Sequence, residues 1–417
     1  MELTVYRQAI KERPDGTIVY KGEDALPFVN DKAMIVCDGL GGAAAIRHQN
    51  IDPGLFDREK ITELLFGDLI NGGFDPSFDR YVKDSFLELY AVKDCYTDNV
   101  NNIKKSGYFA SRLVSAILLA ETVYSPREGF TDKWIKALSE KTRVDRKKSL
   151  ETAGKIYAGS LREKLIHIAN KVNLTYESAY SGLALLGTTL CMTLFSETDD
   201  SVRAVYLTAG DSRPYLWNET EGLCQLIPDE EGPDGGMTNY IRANEDTDFS
   251  INVSYFEFKK PCILFNASDG CFDSAAFLSP MAFEKLLLDT FISSDFTDSA
   301  GDKLTEFFKE YGRHDDSSTI AMKMFGYEDF TEVKKSAQIR LKELDDKYLS
   351  KCEGLLLNDY HAELLTEQIK DVEMEKDDPT VTEEEKILKL KADLQQALFE
   401  NYEHDHSKYM DESEETE

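Results

Sequence analysis

The strongest constraint on this chain is an apolar run that stops abruptly at one carboxylate. In the stretch KAMIVCDGLGG, residues 32–42, the five residues 33–37 predict a buried strand, and the DGLGG that follows cannot continue it. Asp38 therefore stands at a strand end, where its carboxylate can face solvent or a hard cation, while Gly39, Gly41 and Gly42 let the backbone turn and approach a ligand. The arrangement returns in PCILFNAS, residues 261–268, a buried strand that delivers Asp269-Gly270 at its exit. A further acid, Asp316, precedes the strand expected over 319–325, so an antiparallel direction brings it to the edge that holds Asp38 and Asp269.

The N-terminal residues supply two more acids. Strand-like composition over 3–10 passes through Pro14-Asp15-Gly16 into a short strand at 17–20. Residues 25–29 then read as the first arm of a hairpin with 33–37, which places Glu23 and Asp24 beside Asp38. Mixed loops and short amphipathic helices follow over 43–105. Helices are expected at 107–124, 133–138 and 146–172, with Ile156, Leu161, Leu165 and Ile168 among the core-facing positions. A β-meander covers 187–195, 202–217 and 223–227, a Gly-rich loop 229–236, a strand 249–258, and two helices 280–293 and 297–311.

Beyond residue 326 the composition turns to helix formers and charge, with 12 basic and 27 acidic side chains. Val333, Ala337, Leu341, Leu344 and Tyr348 recur at helical spacing; a second helix is expected at 355–374, and a third after Pro379 with a capping box from Thr382 to Glu385. The expected organisation is a catalytic-type domain at 1–326 with a helical insertion at about 43–105, a helical appendage at 327–406 that could serve as a protein-interaction arm, and a disordered acidic tail at 407–417.

With 417 residues, 41% of them hydrophobic, the chain can bury a substantial core. A net charge of −30 argues against binding nucleic acid through its phosphates, and no basic patch stands out against that background. Seven cysteines without a CxxC pair fit neither a disulfide framework nor a zinc ribbon. No apolar run is long enough to span a membrane and no signal-peptide core opens the chain, so the expectation is a soluble, cytoplasmic protein with no membrane partner.

Glu23, Asp24, Asp38, Asp269 and Asp316 would repel one another if gathered without compensation. Divalent cations resolve this, and an all-oxygen ligand set points to Mg2+ or Mn2+ rather than Zn2+, with room for two ions about 3.5 to 4 Å apart. Such a pair would orient and acidify a water for in-line attack on a phosphoryl group.

The ordered set Glu23-Asp24, DGLGG (38–42), GYFASRL (107–113), GTT (187–189), AGDSRPYL (209–216), NASDG (266–270) and DSST (316–319) resembles the PPM-type, or type 2C, metal-dependent serine/threonine protein phosphatases across residues 1–326. The resemblance implies an α+β fold, a four-layer α-β-β-α sandwich of two antiparallel sheets flanked by helices. It also implies hydrolysis of phosphoserine and phosphothreonine in a protein substrate, in a signalling setting where a cognate serine/threonine kinase could be a partner. Asp38 would bridge both ions with the Gly39 carbonyl on one of them, Asp269 and Asp316 would hold the first, Glu23 the second, and Asp211 would help hold a third ion found in some members. Asp24 would be the catalytic group that orients the attacking water.

The chain departs from that family at several places. Val19 stands where members carry a phosphate-binding Arg, with Lys21 nearby; Leu40 stands where many eukaryotic members carry a His; and either Asp315 or Asp316 could be the ligand, the register of Thr319 favouring Asp316. The alternative reading is a catalytically silent scaffold that binds a partner through its C-terminal helices. His314, beside the acid pair, could donate to a leaving group but reads as a solvated loop residue, and His404-Asp405-His406 could bind a metal but reads as part of the acidic tail.

Overall fold

Apolar runs of period two become strands and those of period 3.6 become helices across the residues that the computed structural model describes: 1–12, 18–20, 22–40, 67, 75–91, 106–124, 129–171, 187–230, 237–243, 248–272, 280–312, 316–348, 350, 397, 400–407 and 409. The chain opens with β1 (Glu2–Arg7), β2 (Ile10–Glu12), β3 (Ile18–Tyr20), β4 (Phe28–Val29) and β5 (Ala33–Val36). Helices α1 (Pro76–Ala91), α2 (Ser106–Thr122), α3 (Phe130–Ser139) and α4 (Arg143–Lys171) follow. Then come β6 (Leu190–Glu197), β7 (Ser201–Ala209), β8 (Arg213–Asn218), β9 (Gly222–Gln225), β10 (Asn252–Lys259) and β11 (Cys262–Ala267). The described elements close with α5 (Pro280–Ser293), α6 (Thr297–Tyr311), β12 (Ser318–Phe325) and α7 (Phe330–Lys347).

Two five-stranded antiparallel sheets result, in the orders β1-β12-β11-β8-β9 and β10-β7-β6-β5-β4, with β2 and β3 forming a separate pair. Alternation along each strand splits the core in three. Met34, Val36, Tyr206, Leu264 and Phe325 fill the space between the sheets. Ile35, Met192 and Leu207 face outward against Leu113 and Ile117 of α2, Ile135 of α3 and Leu161 of α4. Ile263, Phe265 and Met322 face the other way, against Phe283 and Leu287 of α5, Leu304 of α6 and Val333 and Ala337 of α7. The expected α-β-β-α sandwich is therefore the fold, and α7 shares its outer core.

Several local expectations change. The first strand stops at Arg7, and the 202–217 run is two strands in different sheets. Gly210, at φ +94°, makes the crossing between them, a conformation that L side chains rarely adopt. Ile156, expected in the core, is 64% exposed because the buried stripe of α4 runs through Tyr157, Leu161, Leu165 and Ile168 instead. The cysteines Cys37, Cys191, Cys224, Cys262 and Cys271 are buried free thiols. No described helix is long and apolar enough to cross a membrane. Most of the 43–105 insertion, the 355–374 helix, the Thr382–Glu385 capping box, nearly all of the acidic tail, Lys21, Arg313, His314 and Asp315 lie outside the described residues.

Candidate metal centre

The acids come from both sheets, not from one sheet edge as the sequence suggests. Asp38 follows β5 of one sheet, whereas Asp269 follows β11 and Asp316 precedes β12 of the other. The two sheets are tied just behind this rim by buried Asn266, whose Nδ2 donates to Cys191 O (3.0 Å) and Met34 O (3.4 Å) and whose Oδ1 accepts from Thr193 Oγ1 (2.9 Å). That bridge satisfies a polar side chain in an apolar interior and fixes one sheet over the other.

Asp38 is held by its backbone. Its N–H donates to Thr189 Oγ1 (3.1 Å), and its carbonyl accepts from Thr188 Oγ1 (2.6 Å) and Thr189 N–H (2.8 Å). The GTT motif thus serves as the cradle of the acid by holding its backbone, and the carboxylate lies beside those of Asp24 and Asp316. Gly39 must be glycine, because a Cβ there would stand 2.4 Å from Gly107 O and 2.6 Å from Glu23 O. The start of α2 consequently lies directly against the DG turn.

Glu23 and Asp24 are fixed from α2 and β1. The Glu23 carbonyl accepts from Ser111 Oγ (2.6 Å) and Arg112 Nη1 (3.4 Å), and the Asp24 carbonyl from Tyr6 OH (3.4 Å). Arg112, fully buried, also donates to Ser85 O (2.8 Å) and Tyr6 OH (3.3 Å). Ser111 and Arg112 lie in GYFASRL, whose resemblance to the family carries no site role for either residue; a Ser-Arg pair inside an otherwise apolar helical run is the signal for one. Asp316 is held through its carbonyl by Arg7 Nη1 (2.5 Å), and Gly270 lets the two acid loops touch, since a Cβ there would lie 1.9 Å from Ser317 O.

The result brings ligand oxygens of Asp24, Asp38 and Asp316 all within 4.8 Å of one another. The tight trio therefore contains Asp24, expected as a water-orienting group, while Asp269 stands beside it. Asp269 opens a short 3-10 turn and its Oδ1 accepts the Gly270 N–H at 2.7 Å. Glu23 is half-buried at the rim.

Burial first, and then the negative charges of Asp24, Asp269 and Asp316, hold the Asp38 carboxyl well above the usual carboxylate range. Burial likewise raises Asp24, against hydrogen bonds that favour its charged form, including the one from Thr319 Oγ1 to Oδ2 at 2.5 Å. No donor reaches the buried Asp24 Oδ1. Asp211 is pushed up to about 7 by burial and by the Asp269 charge, and its buried Oδ1 also lacks a donor. Burial keeps the neighbouring Cys37 and Cys271 thiols protonated, so they offer no anionic sulfur. Crowded carboxylates, orphaned buried oxygens and all-oxygen donors fit a hard divalent cation.

No known family profile matches the chain, and no curated protein matches it. Among solved structures it is similar to the serine/threonine phosphatase Stp1 from Staphylococcus aureus at 15% identity, covering 78% of this chain and 95% of that one, with a TM-score of 0.41. It is similar to the serine/threonine phosphatase PstP/Ppp of Mycobacterium tuberculosis at 13% identity, covering 78% and 98%, TM-score 0.37. The catalytic domain of PstP in complex with two manganese ions is 15% identical, with 77% and 98% covered and a TM-score of 0.35.

Proposed function

We propose that the protein is a PPM-type, metal-dependent phosphatase that hydrolyses phosphoserine and phosphothreonine in protein substrates. The observation that carries this reading is the trio Asp24, Asp38 and Asp316, drawn from both sheets to one rim with ligand oxygens within 4.8 Å of one another. Residues of the motifs that resemble the PPM family support this reading by holding acids at that rim: Thr188 and Thr189 hold the backbone of Asp38, and Ser111 and Arg112 hold the carbonyl of Glu23.

In this reading Asp38, the Gly39 carbonyl, Asp269, Asp316 and Glu23 hold two Mg2+ or Mn2+ ions, and Asp211 helps hold a third. When bound, the ions neutralise the carboxylates and supply a Lewis-acidic, water-activating charge beside the scissile phosphoryl group. The chain's own residues do the rest. Asp24, whose Oδ2 accepts from Thr319 Oγ1 and whose buried Oδ1 has no donor, would orient the attacking water and accept its proton. The Asn266 bridge and the Ser111–Arg112 clasp keep the two halves of the site at fixed separation. A cytoplasmic setting, a cognate kinase and a role in signalling belong to the same proposal, as does a partner-binding role for the C-terminal helices.

The test is hydrolysis of p-nitrophenyl phosphate and of a phosphothreonine peptide by chelator-stripped protein, before and after Mn2+ or Mg2+ is returned. Turnover that appears only with metal and is lost in Asp38→Asn and Asp24→Asn supports the proposal. Metal-independent turnover overturns it, and metal binding without turnover leaves the scaffold reading in its place.

A further inference from the structure

The chain as a whole carries −30, yet residues 129–171 hold eleven basic and five acidic side chains, a local reversal that the overall charge conceals. Lys136 of α3 and Lys147, Lys148 and Lys155 of α4 are exposed. Arg146 turns the other way: it caps the end of α3 through Ser139 O (3.3 Å) and Lys141 O (3.2 Å) and lies 4.4 Å over the ring of Tyr255. Tyr255 is on β10, the edge strand of its sheet, and packs with the outer core.

The opposite face of the same strand receives Tyr409. Its ring stands edge-on to Phe256 (6.1 Å) and Phe258 (5.8 Å), and its hydroxyl donates to Glu221 Oε2 at 2.9 Å. One edge strand therefore separates the point where the chain leaves Tyr409 from the start of α4. The next eight residues, 410–417, carry Asp411, Glu412, Glu414, Glu415 and Glu417 with no base. Eight residues reach at most about 26 Å, and packed layers lie about 10 Å apart, so the acids can round the strand edge and meet the lysines. Met410 is the single apolar residue of that segment, and Val144, 64% exposed one turn before Lys147 and Lys148, is an apolar spot of matching kind.

We propose that the basic face at the start of α4, centred on Lys147 and Lys148, is the seat of the acidic segment 411–417 of the same chain. Each exposed ion pair contributes little alone. Anchorage at Tyr409 makes the contact intramolecular, at an effective concentration on the order of millimolar, which lets several weak pairs act together. The contact is sensitive to salt, and any other acidic ligand for this face must displace the segment. The proposal is independent of the phosphatase reading, because the face lies toward the end of the sandwich away from the acids.

Zero-length carbodiimide cross-linking of the full chain at low salt, followed by peptide mass spectrometry, tests it. Lys147 or Lys148 should join an acid within 411–417, with a yield that falls about fivefold at 1 M NaCl. Lys147→Glu/Lys148→Glu should remove the link, and adding Glu414→Lys/Glu415→Lys should restore it with the partners exchanged. Far-ultraviolet circular dichroism of each variant confirms that α4 is intact. In an equal mixture of light and 15N-labelled protein the linked peptides should share one label. Mixed-label links would put a second copy on this face and overturn the proposal; links from these lysines only to other acids, unmoved by salt, would overturn it equally.

Discussion

Two buried carboxylate centres stand at opposite ends of the sandwich, and they are built on opposite principles. Away from the acidic rim, Glu284 of α5 is fully buried and completely answered: Oε1 accepts from Trp217 Nε1 (3.1 Å) and Arg340 Nε (2.9 Å), and Oε2 from Arg340 Nη2 (3.1 Å) and Tyr402 OH (2.6 Å). His406 completes the set, its Nε2 at 2.9 Å from Arg340 Nη2 and its Nδ1 at 2.6 Å from Tyr402 O, an arrangement that suits the neutral ring donating from Nδ1. At the rim, Asp24 is buried just as deeply and Asp38 a little less so, both among other negative charges, with one Asp24 oxygen unanswered. The first centre supplies its counter-charge from the fold, and the second, in the proposed reading, takes it from an ion. Burial of a charge by itself does not mark a functional site; burial without compensation does.

The largest expected effect breaks the contrast at the rim. Asp38→Asn should lower Mn2+-dependent turnover of p-nitrophenyl phosphate by about a thousandfold, some 4 kcal/mol of transition-state stabilisation. Removing one of the crowded charges should at the same time stabilise the metal-free protein by about 1 to 2 kcal/mol in urea unfolding. At the other centre the signs reverse. Glu284→Gln strands Arg340 in the core and should cost about 3 to 5 kcal/mol of stability in the same experiment, with turnover per folded molecule unchanged.

Metal binding sharpens the comparison next. Mn2+ at about a hundred times its dissociation constant should raise stability by about 2.7 kcal/mol in the parent protein and in Glu284→Gln, and not in Asp38→Asn. The pH dependence should split likewise. Folded-state values raised at Asp24, Asp38 and Asp211, the last to about 7, mean that the native state holds protons the unfolded chain has released. Metal-free stability should therefore fall as pH rises from about 4 through about 7, and saturating Mn2+ should flatten that limb. His406 acts in the opposite sense: burial lowers its pKa, so its contribution is lost as pH falls below about 6.5, with or without metal. The smallest effect is that of Tyr402→Phe, which removes one hydrogen bond to Glu284 and should cost about 1.5 kcal/mol in thermal unfolding.

Much of the fold was legible along the chain because its signals are local. Residues 280–293 and 297–311 are helices over the expected spans, and the runs before Asp38 and Asp269 are buried strands that end at Asp-Gly, since periodicity and turn chemistry act within a few residues. Ile156 and His406 show where such reading stops. Which face of α4 is covered depends on the angle at which β10 meets it, and a histidine in an acidic segment is buried only because Glu284 and Arg340 wait for it from α5 and α7.

The sequence by itself determined that separate acids would sit at strand ends with glycines beside them, because an apolar run and its termination are written in consecutive residues. Only the tertiary structure decided that Asp38 would meet its partners across two sheets, that Asp24 would join the tight trio while Asp269 turned partly to its own backbone, and that Ser111 and Arg112 would clasp Glu23. Those outcomes depend on distances between segments that the chain separates by tens to hundreds of residues. They are set by close packing and by the need to answer each buried polar group.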